Sequence, residues 1–506
     1  MARARSVFIG YFFNFISLVG MILAVVATGL IIIFLSMEAI TGVENPYLGI
    51  FVYFIFPVLL IAGLFLVPVG AFRQRQRRRK VLPEEIPPYP DIDLNDVSKR
   101  KAFLFFVFGT VIFVIIISLA AMKGYHFTES PGFCGKLCHT VMTPEYTVWA
   151  NSPHAKVACV ECHIGPGAKW YVKAKISGMK QIYAVLAHTY ARPIETPVTN
   201  LRPARDICER CHWPEKFYTG RQKVYYHYAP DENNTPREIN MLINIGGLPK
   251  DPTATGIHWH IGREVNYIAR DRKRLDVPYV SVKDKYGKIT EYHDENSPLT
   301  PAEIAKGEKR LMDCIDCHNR PTHIYRSPGQ EMDENFVSGH IDPTLPYIKK
   351  VAVELLNAPY KTKEEGRTAI AAGIERHYEE NYPQVSKVKT AAIRQAVEQV
   401  QGIFNRTVFP GMKVNWHTYP DHIGHFYSPG CFRCHDGKHR SAAGKVISKD
   451  CNLCHTVLGQ KQENIKPGAR VTAFKHPTDI GEAITAMNCS DCHAAGGEDV
   501  PGSGQK

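Results

Sequence analysis

All fourteen cysteines of this 506-residue chain fall into seven pairs, and the second cysteine of each pair is followed at once by histidine. The pairs are Cys134/Cys138-His139, Cys159/Cys162-His163, Cys208/Cys211-His212, Cys314/Cys317-His318, Cys431/Cys434-His435, Cys451/Cys454-His455 and Cys489/Cys492-His493. Two thiols three residues apart can add to the two vinyl groups of one haem, and the adjacent imidazole then sits beneath the iron as proximal ligand. Paired cysteines also build zinc sites and disulfides. With 22 histidines in 506 residues, seven chance placements directly after a cysteine have a probability of roughly 10⁻¹⁰, so the repeated unit reads as seven covalent haem attachments. The first motif, CGKLCH, has three residues between its thiols and needs a slightly larger loop.

Each iron needs a sixth ligand, or an open position if it performs chemistry. The fifteen remaining histidines suffice to close every haem. Those near motifs or in tight local contexts are His154 in NSPHAKV, His188 in VLAHTYA, His260 in GIHWHI, His323 in CHNRPTH, His425 in DHIGHFYSPG, His439 in CHDGKH and His476 in FKHPTD. His377, in the charged run ERHYEEN, reads as solvated. Met142, three residues after His139, is either an axial ligand of the first haem or a packing residue.

Three apolar stretches precede the first motif, at about 8–35, 47–72 and 102–122. Each is long enough to span a bilayer as a helix, which takes about 20 residues. The first is too long, and lacks the small-residue cleavage site, to be a removable signal peptide. Arg73, Arg75, Arg77, Arg78, Arg79, Lys80, Lys99, Arg100 and Lys101 crowd the 73–101 loop, whereas the loop between the first two spans carries only Glu38 and Glu44. The positive-inside rule then puts the N-terminus and the 73–101 loop in the cytoplasm and everything after Met122 in the bacterial periplasm of an inner-membrane protein. None of the three stretches contains histidine, so they offer no bis-histidine site for a haem within the bilayer. The formal charge of +12 is largely offset by the fourteen propionates of seven haems. No basic helix, zinc finger or aromatic RNA-binding motif points to nucleic acid.

The fold class expected is mainly α with little regular structure: a three-helix anchor (1–122) and a periplasmic multihaem c-type cytochrome domain with a small β insertion. Residues 123–215 carry haems 1–3, with a helical connection from Ala168. Residues 216–310 form the β insertion, where KVYYHYAP, EINMLINIGG, EVNYIA and YVSV alternate or cluster strand formers and DENN and KYGK signal turns. Residues 311–506 carry haems 4–7. IKKVAVELL and AIRQAVEQVQGIF have apolar residues at helical intervals there. About 55 residues per haem leave little room for an apolar core at each site, so the porphyrins themselves must form much of it.

Residues 101–215, with an apolar helix followed by FCGKLCHTVMTPEYTVWANSPHAKVACVECH and CERCH, resemble the NapC/NirT/NrfH family of membrane-bound quinol dehydrogenases. The whole chain resembles the larger heptahaem inner-membrane cytochromes of metal-reducing bacteria. The resemblance implies oxidation of menaquinol beside the first haem and delivery of electrons to periplasmic c-type cytochromes in anaerobic or extracellular respiration. It carries a ligand role to Met142 and a distal-ligand role to His154. A proton acceptor or hydrogen-bond partner for quinol is then expected among Glu145, His126, Lys169, Lys173 and Lys175. The chain departs from the family pattern in its three apolar stretches where members usually have one, its wider first motif, and a Met142 displaced by one residue. Two rival readings are a terminal reductase with an open catalytic haem and an electron-transfer subunit or oligomer within a larger respiratory complex. Against the first, the lysine-ligated CxxCK motif of the nitrite reductases is absent from the sequence.

Overall fold

The computed structural model describes residues 12, 14–41, 51, 55–80, 94–101, 103–105, 107–109, 125–137, 139–198, 201–217, 220–246, 256–461 and 474–493. Two compact units emerge: Met1–Ser130 with Ile164–Lys180, and Pro131–His163 with Gln181–Lys506. The secondary structure is mostly helical with some sheet.

In the first unit, helices α1 (Phe15–Thr41) and α2 (Phe56–Lys80) lie side by side. Each has a segment long and apolar enough to cross a membrane, at Phe15–Phe34 and Phe56–Arg77. They meet through small residues, as membrane helices do where lipid offers no hydrophobic gain. A Cβ at Gly20 would come within 2.6 Å of the Gly63 carbonyl, and one at Gly63 within 2.7 Å of the Gly20 carbonyl. Ser17, fully buried, donates to the Val67 carbonyl at 2.9 Å. Replacing Gly63 by Leu should therefore force the helices apart at a cost of about 1–3 kcal/mol, seen as lower resistance of the purified protein to unfolding in denaturing detergent. Of the third expected span, residues 103–105 and 107–109 are helical and exposed, and the rest lies outside the described residues. Further along the chain, helices α3 (His139–Ala150) and α4 (Ala168–Leu186) flank the second cysteine motif.

The second unit holds two antiparallel sheets. Strands β1 (Gly220–Tyr228) and β2 (Pro236–Asn244) form a hairpin, and β8 (His455–Lys461) adds to the far edge of β2. The other sheet runs β6 (Arg310–Leu311), β3 (Glu264–Ile268), β4 (Tyr279–Lys283), β5 (Ile289–Asp294), β7 (His439–Arg440). Both sheets thus take strands from the C-terminal part of the chain as well as from 216–310. The DENN turn closes on an Asx bond from the Thr235 amide to Asp231, and Asn234 adopts φ 44°. Asn234 then donates to the carbonyls of Pro343 and Leu345 and accepts from the Lys349 amide, tying the hairpin tip to the helices.

Those helices are α5 (Pro328–Val337), α6 (Ile348–Asn357), α7 (Lys363–Asn381) and α8 (Thr390–Thr407). Ile348, Ala352 and Leu356 recur at four-residue steps, as do Gly366, Ile370, Ile374 and Tyr378, so each helix turns one face to a common core with Met332, Ala396, Val400, Ile403 and Phe404. Gly366 is required by packing: a Cβ there would strike the Phe404 ring. Lys349 and Asp333 pair at 2.8 Å inside this core.

Candidate functional site

The cysteine motifs adopt tight helical turns. Residues 159–163, 314–317 and 489–493 are α-helical, and Gly430–Arg433 and Cys451–Leu453 are 3₁₀. Histidine amides bond back to the carbonyl of the first cysteine, as His212 does to Cys208, His318 to Cys314 and His435 to Cys431. One such turn brings residues i, i+3 and i+4 to one side, which gathers both sulfurs and the imidazole. The first motif has one residue more, and its segment Phe133–Leu137 is a π-helical turn, the wider winding that absorbs an insertion. Gly135 lies against the Tyr146 ring there, with no room for a side chain. Cys138 and the His139 side chain lie outside the described residues.

The motif sulfurs are not equally sheltered. Cys211 and Cys492, expected to attach the third and seventh haems, are exposed, as are Cys162 and Cys451, whereas the other described cysteines are half-buried. The polypeptide itself encloses neither Cys211 nor Cys492. The reason is the shortness of the elements that carry them. Cys211 follows the five-residue helix Ala204–Cys208, and Cys492 lies within the five-residue helix Cys489–His493. A single turn buries one side, and so little chain per motif leaves nothing to cover the other. An exposed thiol is still open to a vinyl group, so Cys211 and Cys492 stay in the proposed attachment set.

Six motif histidines each face a second histidine. The ring centroids are 6.0 Å apart for His212 and His154, 6.2 Å for His163 and His323, 6.4 Å for His318 and His258, 5.8 Å for His435 and His260, 6.1 Å for His455 and His425, and 6.2 Å for His493 and His476. An imidazole nitrogen sits about 2 Å from a metal it ligates and the ring centre about 1 Å further out, so two imidazoles on opposite sides of one iron have centres roughly 6 Å apart. All six separations match.

Local structure aims these rings. His154 lies in a loop held by Trp149 Nε1 donating to the Val157 carbonyl and by its own amide on Ser152 Oγ. His258 and His260 stand on one 3₁₀ segment, Ile257–Gly262, with Nδ1 donating to the carbonyls of Ile245 (2.6 Å) and Ile257 (2.7 Å). His435 Nδ1 donates to the Ser448 carbonyl. Since a carbonyl only accepts, Nδ1 carries the proton in each case and Nε2 keeps its lone pair for a metal. Burial lowers the pKa of His260, His425 and His455, and brings that of His493 to about 4, which keeps the imidazoles neutral.

Of the expected distal ligands, His154, His260, His323, His425 and His476 therefore stand opposite motif histidines. His258, passed over in favour of its neighbour, stands opposite His318. His439 has another role: it is buried, its Nδ1 meets Asp436 at 2.9 Å and its Nε2 meets the Val277 carbonyl at 2.7 Å. Both ring nitrogens are thus occupied, and Asp436 and the carbonyl raise its pKa against the opposing effect of burial. His188 is exposed, with φ 54°. Met142 is half-buried on helix α3.

Among the expected quinol-site residues, Glu145 is already engaged. Its carboxylate lies 2.9 Å from His323 Nδ1, which also meets the Glu145 carbonyl at 3.2 Å, and Arg320 lies 3.2 and 3.3 Å from its two carboxylate oxygens. Burial alone would raise its pKa, but the His323 hydrogen bond and the Arg320 charge win and hold it at about 2. A carboxylate so acidic is a poor proton acceptor. In the first unit, Lys169, Lys173 and His126 are exposed, Lys173 over the Trp170 ring and His126 against Tyr125.

Thiols of successive motifs also come together. The Cys134 side chain lies beside that of Cys159, and the Cys208 side chain beside that of Cys314. The described cysteines are all unbridged.

Residues 96–197 match the NapC/NirT cytochrome c family, N-terminal region. The chain belongs to this family of c-type cytochromes. It is 65% identical over 493 residues, 97% of either chain, to the cytochrome c-type protein ImcH of Geobacter sulfurreducens. It is also 27% identical over 115 residues, 22% of this chain and 63% of the relative, to the cytochrome c-type protein NrfH of Wolinella succinogenes. No solved structure matches it. A c-type cytochrome holds its haem covalently, and the donor set fits that group: reduced cysteine pairs on one turn, with two imidazoles whose ring centres stand about 6 Å apart.

Proposed function

We propose that the chain is a membrane-anchored heptahaem cytochrome that oxidises menaquinol at the periplasmic membrane face near the first motif and passes electrons to periplasmic c-type cytochromes. The observation that carries this reading is the set of six facing histidine pairs. Two imidazoles per iron close both axial positions, which suits electron transfer and leaves no coordination site for a substrate. Bound haem supplies one-electron carriage; the protein residues fix its ligation, spacing and surroundings. The thiol contacts between motifs one and two and between motifs three and four support close haem edges along the chain. The cluster of arginines ending helix α2 supports a cytoplasmic loop there and a periplasmic haem domain. For the first haem the sixth-ligand candidates are Met142 and His188.

The purified protein should therefore give a low-spin spectrum in at least six of seven haems. A strong high-spin ferric signal from several haems would instead favour a terminal reductase. The quinol site is proposed to draw on His126, Lys169 and Lys173 of the first unit, with Glu145 left out because His323 and Arg320 already occupy it. Lys173→Met should slow menaquinol oxidation by about a hundredfold, the lower end of what a proton-handling group contributes, with the haem spectrum unchanged. Normal turnover in this variant would remove Lys173 from the site.

A further inference from the structure

We propose that Glu145 is a positioning residue that lowers the reduction potential of the haem bound at Cys159, Cys162 and His163, acting through His323. The inference rests on the His163/His323 pairing proposed above. His323 Nδ1 meets the Glu145 carboxylate at 2.9 Å, and its ring faces His163. His258, His260 and His435 are met at the same nitrogen by backbone carbonyls. His323 Nδ1 also meets a backbone carbonyl, that of Glu145 itself at 3.2 Å, so what sets it apart is the added charge of the carboxylate. A hydrogen bond to an ionised acceptor is about twice as strong as one to a neutral acceptor, and it draws the Nδ1 proton towards the carboxylate. The imidazole becomes a more basic ligand and favours the ferric over the ferrous iron.

The surroundings fix this arrangement. Arg320 binds both carboxylate oxygens and also donates its Nε–H to the His323 carbonyl at 2.9 Å, so one guanidinium orients the ligand and its partner together. That guanidinium lies 4.4 Å over the Tyr419 ring, whose hydroxyl donates to the Ile194 carbonyl at 2.7 Å. Glu145, Arg320 and Tyr419 are buried or nearly so. The carboxylate is thus held at a fixed distance, away from the screening of bulk water.

The test is a redox titration of the full-length holoprotein, resolved into its haem components. Glu145→Gln keeps an acceptor for Nδ1–H but removes the charge. One haem component should shift to higher potential, the others should stay, and Glu145→Asp should return it towards the wild-type value. Arg320→Gln leaves the carboxylate less compensated and should shift the same component the other way. If Glu145→Gln retains its haems and no component moves, or if Arg320→Gln raises the potential, the proposal is overturned. His323→Met separates this outcome from a failure of the pairing. Its near-infrared dichroism should show one bis-histidine haem replaced by a histidine–methionine haem. If that signature is absent, the pairing falls and the Glu145 role with it; if it is present while Glu145→Gln shifts nothing, only the Glu145 role falls.

Discussion

Removing His258 and His260 together should convert two haems from low to high spin, and either single substitution should convert one. The two residues occupy one short 3₁₀ segment but face His318 and His435 respectively. The thioether links would keep both porphyrins attached, so haem content should hold while ligation is lost. The two losses should also be distinguishable. The His258 and His318 rings are almost parallel, at 8°, whereas His260 and His435 cross at 83°. Parallel imidazoles split the iron d orbitals strongly and give a rhombic low-spin resonance; crossed ones leave them nearly degenerate and push the largest g value to low field. His258→Ala should therefore erase a rhombic component and His260→Ala a low-field one, in electron paramagnetic resonance of the oxidised protein. Unchanged spectra in both would mean that GIHWHI does not ligate iron.

The second large effect concerns stability. Asp333→Ala should cost about 3–5 kcal/mol, because breaking a buried pair strands its partner. Lys349 has a side chain only 1% exposed, and its ammonium lies 2.8 Å from Asp333 and 2.6 Å from the Tyr228 carbonyl. The same carboxylate accepts from the Tyr228 amide at 3.0 Å, so the variant would loosen the junction of strand β1 with helices α5 and α6 as well. Adding Lys349→Met should recover most of the loss, since two apolar side chains leave no charge to solvate. Denaturant unfolding followed by far-ultraviolet dichroism gives both numbers. Equal midpoints for the single and double variants would show that the lysine finds another partner.

Local patterns in the sequence were enough for the elements that depend on them. The three- and four-residue spacing of IKKVAVELL and AIRQAVEQVQGIF became α6 and α8, and DENN and KYGK became turns because Asp231 and Asp284 bond the amides that follow them. What depends on distant partners was not legible. Strand β8 starts at a motif histidine and pairs with β2 more than 200 residues earlier, which no local pattern announces. Spacing marked Cys211 and Cys492 as motif cysteines, but their exposure depends on which distant segments happen to pass over them. His260 and His258 were indistinguishable in GIHWHI, since only the fold shows that neighbouring positions on a 3₁₀ turn serve different partners. His439 looked well placed beside its motif, yet Asp436 three residues earlier is within reach of its ring, a local signal that could have been read. Glu145 kept its role hidden because Arg320 and His323 lie some 175 residues away.

The thiol contacts between motifs constrain how such a protein can be made. On the proposed attachment Cys208 and Cys314 belong to different haems yet lie side by side, and the neighbouring Cys134 lowers the pKa of the Cys159 thiol to about 7. In an oxidising compartment, a chain that folded first would present these thiols to each other before any porphyrin arrived. Disulfides joining two motifs would then consume sulfurs that two haems need. On the proposed attachment, that favours one order of biogenesis, with porphyrin attached to an unfolded chain and folding closing over it afterwards.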